Sequence, residues 1–203
     1  MKTFKDMDML DLETIPGIAK VVILESTEST QEIARALALE GNAEKTLVVA
    51  LAQTAGKGRM GRSWESGAGG IYMTVILKPS IGLKFLKDLS LLAGKVVSDT
   101  LRTLYGVKTR VKLPNDVFAL HPQKKKYLKV AGVLTESASI NKTPNWILLG
   151  VGVNLNNAVP LDTAVSIRDI LKKEVSREEF LDAFFHEFWQ VYSAWEYSSQ
   201  SKS

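Results

Sequence analysis

Three short apolar runs, Leu47–Ala52, Ile71–Leu77 and Trp146–Leu155, constrain the fold most. They are too short to be free-standing helices, and Val, Ile, Tyr and Thr are concentrated in them, so they read as buried strands. Two more strands are expected at Thr109–Leu113 and Val130–Glu136, with Pro114 ending the first because it donates no ladder hydrogen bond. Between these lie stretches with helical spacing. Ser29 and Glu32 stand at the spacing of a capping box, followed by Ile33, Ala34, Leu37 and Ala38, which predicts a helix from about Thr30 to Glu40 closed by Gly41. Leu89, Leu92, Ala93, Val96, Val97, Leu101 and Leu104 predict a second helix, with Gly106 just past its end. Ser176 and Glu179 form another box opening a last helix that carries Phe180, Phe184, Phe185, Phe188, Trp189, Tyr192 and Trp195. This is an α+β pattern: a mixed, largely antiparallel sheet with helices packed on it. With no internal repeat or low-complexity linker, the 203 residues read as a single domain, 1–203, with a frayed polar tail over Ser198–Ser203.

Composition narrows the chemistry. The chain has no cysteine, so disulfides, thiolate metal sites and cysteine nucleophiles are excluded. His121 and His186 lie far apart and make no metal motif, and no metal ligand set is expected. The net charge of +4 suits anionic small molecules without demanding nucleic acid, so no DNA partner is expected. The opening MKTFKDMDMLDLE alternates charged and apolar residues and is not read as a secretory leader. No apolar run approaches the ~20 residues of a membrane span, so no membrane partner is expected and the default location is the cytoplasm.

Four segments carry candidate chemistry. The first, Gln53 to Trp64, alternates glycines with cations directly after a strand and opens a loop with six glycines between Gly56 and Gly70. Glycine lets backbone approach a ligand, successive N–H groups can cradle an anion, Lys57, Arg59 and Arg62 suit carboxylate and phosphate oxygens, and Trp64 offers an aromatic face. The loop has neither the Walker nor the dinucleotide spacing, and a flexible, solvated basic loop is the plain alternative. The second, Lys112-Leu-Pro-Asn115-Asp116, presents an amide and a carboxylate at a strand tip, or is a simple Asx turn. In the third, Lys129-Val-Ala-Gly132, a lysine enters an apolar strand beside a glycine; it serves a buried anion or snorkels to water. In the fourth, Gly150-Val-Gly152-Val-Asn154, glycines interrupt an apolar strand, which suggests a bulge or a close ligand approach, with Asn154 lining that space.

Taken together in order and spacing, these segments resemble the biotin–protein ligase catalytic domain over about Val21 to Trp195. The family's GRGRxGRxW stands here as GKGRMGRSW, its KWPND as KLPND, its KxxGILxE as KVAGVLTE and its GxGxN as GVGVN. Its Ser-Thr-Asn near the N-terminus is matched by Ser29-Thr30-Gln31. Lys57 replaces an arginine of the family pattern, and Leu113 replaces the tryptophan of KWPND.

The resemblance implies a fold of the class II synthetase-like biotin/lipoate ligase type. It implies an ATP-dependent enzyme that makes biotinoyl-5′-AMP and passes biotin to a lysine of a biotin carboxyl carrier protein domain. Ser29, Thr30 and Gln53 would hold the ureido ring, joined in the biotin site by Gln31, Lys57, Gly58, Arg59, Lys129 and Gly132. Arg59, Lys129 and Asp116 would be catalytic: a clamp on carboxylate and α-phosphate, a charge neutraliser, and the group that orients or deprotonates the acceptor lysine. Arg62, Trp64, Asn115 and Asn154 would contact ATP, with Mg²⁺ arriving on its phosphates. No helix-turn-helix is expected ahead of Ile15 and no barrel-like domain behind the last helix, while a homodimer is left open. The alternatives are a lipoate–protein ligase, whose RRxxGGG stretch this chain lacks, and a binding module without catalysis.

Overall fold

Successive side chains on a strand point to opposite faces of a sheet, and this chain uses the two faces for different ends. The computed structural model describes residues 15–79, 85–140, 143–160 and 162–200. Its elements run β1 (Lys20–Leu24), α1 (Thr30–Leu39), β2 (Thr46–Ala50), β3 (Ile71–Leu77), α2 (Leu86–Tyr105), β4 (Thr109–Lys112), β5 (Asp116–His121), β6 (Lys126–Ile140), β7 (Thr143–Val153), α3 (Ile167–Leu171) and α4 (Arg177–Gln200). The strands form one 7-stranded sheet in the order β1-β2-β3-β7-β6-β5-β4. Only the β1–β2 pair is parallel, bridged by α1; every other pair is antiparallel, so the expected mixed, largely antiparallel sheet is what forms.

On one face, Leu47, Val49, Met73, Val75, Val133, Leu149, Val151 and Val153 meet α2 and α4 in the main core. The other face is apolar only at one end, where α1 lays Ala34 and Ala38 against Val48, Ile76, Trp146 and Leu148. Beyond α1 that face turns polar and glycine-rich. One cross-strand row reads Asp116, Gly132, Gly152, Tyr72, Ala50, and the next reads Leu134, Gly150, Thr74, Val48. The sheet is thus packed on one side and left open beside α1 on the other. Among the described residues no helix is long and apolar enough to cross a membrane.

Several expectations shift. β1, β5 and α3 were not anticipated: β1 mixes Lys with apolar residues, β5 starts at the Asp116 read as a turn residue, and α3 has only five residues. β6 is far longer than Val130–Glu136, because its polar ends pair with β5 and β7. Ser29 is the N-cap of α1, accepting from the Gln31 N–H, but Glu32 does not close the box and pairs with Lys57 and Arg35 instead. Gly150 and Gly152 sit in unbroken ladders on both sides, so of the two readings, a bulge or a close approach, the bulge is absent; the register shifts lie in the β5–β6 ladder at Val117/Phe118 and in the β6–β7 ladder at Ala138/Ser139. Ser198 and Ser199 belong to α4, and Ser199 is buried, so the tail is helical up to Gln200 rather than frayed. The readings of the first 13 residues and of 201–203 lie outside the described residues.

The aromatic row of α4 anchors the main core. Phe184 lies 6.1 Å from Phe180, 5.1 Å from Phe185 and 5.5 Å from Phe188 between ring centroids, and all four are fully buried. Phe184→Ala should cost about 3–5 kcal/mol of stability. Urea unfolding checks this: the midpoint should fall with an unchanged m-value, and a loss below about 1 kcal/mol would mean the row is not central.

Candidate active site

The open face is walled at one end by the first turn of α1. Ser29, Thr30 and Gln31 are all buried there, with Thr74 beneath them on β3. A chain of polar contacts links them to Gln53. The Gln53 carbonyl oxygen accepts from the Thr30 N–H (2.8 Å) and hydroxyl (3.2 Å), and its amide donates to Ser66 Oγ (2.7 Å). Thr30 and Thr74 hydroxyls lie 2.9 Å apart, and Thr74 also reaches Gln31 Oε1 at 3.0 Å. Two hydroxyl protons therefore serve three contacts. Ser29 Oγ accepts the cap bond from Gln31 at 3.3 Å, which leaves its O–H proton to donate. The Gln31 amide nitrogen is buried with no partner. An orphaned buried donor is costly, and a ligand acceptor in this cavity would satisfy it. Thr74, invisible as a site residue in the apolar run IYMTVIL, is the hub of this wall; its one signal was a polar residue inside a fully buried strand.

The glycine-basic loop folds back on itself over this cavity. Trp64 N–H donates to the Gly56 carbonyl (2.8 Å), Gly58 N–H to that of Arg62 (2.7 Å), and a single 3₁₀ turn, Arg59–Gly61, makes the tip with Met60 at φ 57° and Gly61 at φ 71°. Two cations fasten it to opposite banks. Lys57 pairs with Glu32 on α1, and Arg59 donates to Asn115 Oδ1 (3.1 Å), whose own amide donates to the Val133 carbonyl (2.7 Å). Arg62 is exposed and reaches only toward Met60, so it joins neither cavity wall. Trp64 lies flat against the glycine row. A Cβ on Gly152 would fall 2.7 Å from the indole and one on Gly132 3.1 Å from it, so glycine at these two positions is what lets the ring sit down. The Trp64 indole N–H is buried without a partner, a second donor awaiting an acceptor.

Lys129 stands beside this ring. Its ammonium is 2.7 Å from Asp116 Oδ1 and 5.0 Å from the centroid of the Trp64 ring. Its backbone is pinned by the Lys129 N–H to Thr163 carbonyl bond (3.1 Å) and the Val165 N–H to Lys129 carbonyl bond (2.9 Å). Ser29, Thr30, Gln31, Gln53, Lys57, Gly58, Arg59, Trp64, Asn115, Lys129 and Gly132 line one cavity. Trp64 and Lys129 also line an adjoining recess of about 590 Å³ with Asn154, Pro160 and Thr163. Asn154, which accepts from Asn157 (3.0 Å), thus belongs to the second space and Asn115 to the first. Tyr72 closes the floor, its hydroxyl donating to the Gly67 carbonyl (2.6 Å); burial pushes that hydroxyl well above its usual pKa, so it stays a neutral donor.

A polar wall able to read a small planar head group, a cationic roof, and Lys129 at the junction of two cavities suit activation of a carboxylate next to a second, anionic ligand; Asp116 lines neither cavity and reaches them only through its pair with Lys129. The matches to known proteins agree. The family model described as the Biotin/lipoate A/B protein ligase family covers residues 23–154. The biotin–[acetyl-CoA-carboxylase] ligase of Paracoccus denitrificans is 34% identical over 83% of this chain and 72% of its own length. The bifunctional ligase/repressor BirA of Bacillus subtilis is 38% identical over 70% of this chain, which spans only 42% of that protein. Among solved structures, the biotin protein ligase of Aquifex aeolicus in complex with biotin and ATP superposes with a TM-score of 0.75 at 29% identity, over 90% of this chain and 74% of that one. The chain belongs to the biotin/lipoate A/B protein ligase family.

Proposed function

We propose that this protein is a biotin–protein ligase acting in the cytoplasm. It joins biotin to AMP and then passes the biotinoyl group to a lysine of a biotin carboxyl carrier protein domain. The observation that carries this reading is Lys129, which is held by Asp116, stands beside the Trp64 ring and lines both the cavity with the polar end and the recess next to it. The names of the relatives and the biotin and ATP held by the Aquifex aeolicus enzyme support it. Biotin is favoured over lipoate by the cavity's closed end. A ureido ring carries two N–H donors and a carbonyl, which Ser29, Thr30, Gln31, Gln53 and Thr74 can satisfy. A dithiolane ring would leave the buried Gln31 amide donor unpaired.

In the first step a biotin carboxylate oxygen attacks the α-phosphorus of ATP and pyrophosphate leaves. Lys129 neutralises the charge that gathers there, with Lys57 and Arg59 above it, and such charge stabilisation is the main protein contribution in this chemistry. Asn115, Trp64 and Asn154 hold the nucleotide. Mg²⁺ would accompany ATP as its counter-ion and supply charge neutralisation at the phosphates; among the described residues no group of three His, Cys, Asp or Glu side chains could hold a metal ion. In the second step the acceptor lysine attacks the acyl carbon, AMP leaves, and Asp116 takes the amine proton.

The assay is biotin-dependent pyrophosphate exchange, with lipoate as the competing substrate; exchange that follows lipoate and not biotin would sink the reading. Lys129→Ala should slow that exchange on the order of 10²–10³-fold without loss of the fold, and a wild-type rate would remove Lys129 from the chemistry. Asp116→Asn, given purified biotinoyl-AMP, should transfer to acceptor on the order of 10²-fold more slowly; normal transfer would rule out the proton-accepting role. Arg59→Gly should still make biotinoyl-AMP but lose it early. The change deletes the link to Asn115 and adds a flexible residue at the loop tip, and weakened contacts show mainly in the off-rate. Serum albumin mixed with the variant, biotin and ATP should therefore become biotinylated. Labelling no greater than with wild type would mean that Arg59 does not retain the intermediate.

A further inference from the structure

Glu32 is the acidic residue of an expected capping box, yet its carboxylate does no capping. Its two oxygens serve two different cations. Oε1 takes the Lys57 ammonium, and Oε2 lies 3.4 Å from Arg35 Nε. Arg35 in turn is braced by Glu136 on β6, Nη2 to Oε2 at 2.7 Å. The contact with Lys57, and to a lesser degree Arg35, holds the Glu32 carboxyl below its usual range, so Glu32 is ionised at neutral pH. Lys57 stands where the family pattern has arginine. A lysine is a compact point charge on a long stem, and here that charge is engaged on α1. The loop that begins at Lys57 is also fastened at its tip by Arg59 to Asn115, on the far bank of the cavity. The loop is therefore a strap with a latch at each end, and only the Arg59 latch is implied by the family pattern.

We infer that Glu32 is a positioning residue: by holding Lys57 against α1, braced by Arg35 and Glu136, it keeps the glycine-basic loop closed over the cavity and so slows loss of the acyl-adenylate. The second half of this statement rests on the proposed adenylate-forming activity; the first half does not. Glu32 lies outside the set that lines the cavity, so its effect reaches the ligand only through Lys57 and the loop.

Two measurements separate the halves. In the free protein, amide exchange of Gly58 and Trp64, the N–H groups that close the loop, should quicken about two- to five-fold in Glu32→Gln at low salt, the span of an exposed ion pair. Raising ionic strength should bring wild type toward the variant. Glu32→Lys should be faster still, and the swapped pair Glu32→Lys with Lys57→Glu should return exchange toward wild type, which a merely structural role for Glu32 would not produce. In the enzyme loaded with biotinoyl-AMP, the release rate should rise from wild type to Glu32→Gln to Glu32→Lys, two variants that leave Lys57 in place. Unchanged amide exchange in Glu32→Gln, or a swapped pair no slower than the faster single variant, would overturn the latch. Quickened exchange with an unchanged release rate would overturn the retention role. Should the latch behave as expected while wild type makes no biotinoyl-AMP, the proposed function fails and the positioning role of Glu32 stands.

Discussion

The site depends on one extra residue in β6. In a regular strand, residues three apart face opposite sides, so the Lys-x-x-Gly spacing would send Lys129 into the main core when Gly132 faces the ligand. The ladder instead runs Val117 to Ala131 and Phe118 to Lys129, skipping Val130. That bulge turns Val130 and Ala131 both into the core, where they are fully buried, and brings Lys129 out beside Gly132. The same step carries Lys129 to Asp116, which heads β5 directly across from Gly132. A cation, a carboxylate and a gap for an aromatic ring are thus set by backbone register rather than by long, mobile side chains.

The rest of the site is arranged around that register. The sheet's packed face carries the stability, with α2 and α4 and their aromatic row, while its open face is spared from filling space. Glycines at 132 and 152 admit Trp64, and the ring in turn separates two cavities that both touch Lys129. Buried donors left without partners at Gln31 and Trp64 are a cost to the folded chain. They are tolerable where a ligand replaces the missing acceptors.

The helical elements and most of the sheet were legible because their periodicity is strong: α1, α2, α4, β2, β3 and β7 all lie within a few residues of where spacing put them. β1, β5 and α3 were not, since a strand of Lys-Val-Val-Ile-Leu or a five-residue helix carries too little pattern, and tertiary pairing decides them. Of the site, Thr30, Gln53, Lys57, Arg59, Trp64, Asn115, Lys129 and Gly132 do converge on one cavity. Asn154 falls in the neighbouring recess, and Arg62 falls in neither because the 3₁₀ tip turns it outward. Thr74 and Glu32 were not read as part of the site for the same reason: a threonine in a strand and a glutamate in a capping box have ordinary local roles, and only the fold reveals what they touch. The bulge at Val130 could not be read from spacing at all.

The hydroxyls of Thr30 and Thr74 have one consequence of their own. With two protons among three contacts, the chain from Gln53 to Gln31 has more than one arrangement of hydrogens for a single arrangement of heavy atoms. Rotating either hydroxyl moves its proton from a glutamine oxygen to the other threonine, without displacing the helix or the strand. The wall can thus offer a proton or a lone pair by hydroxyl rotation within a rigid frame, which would cost an entering ring little reorganisation.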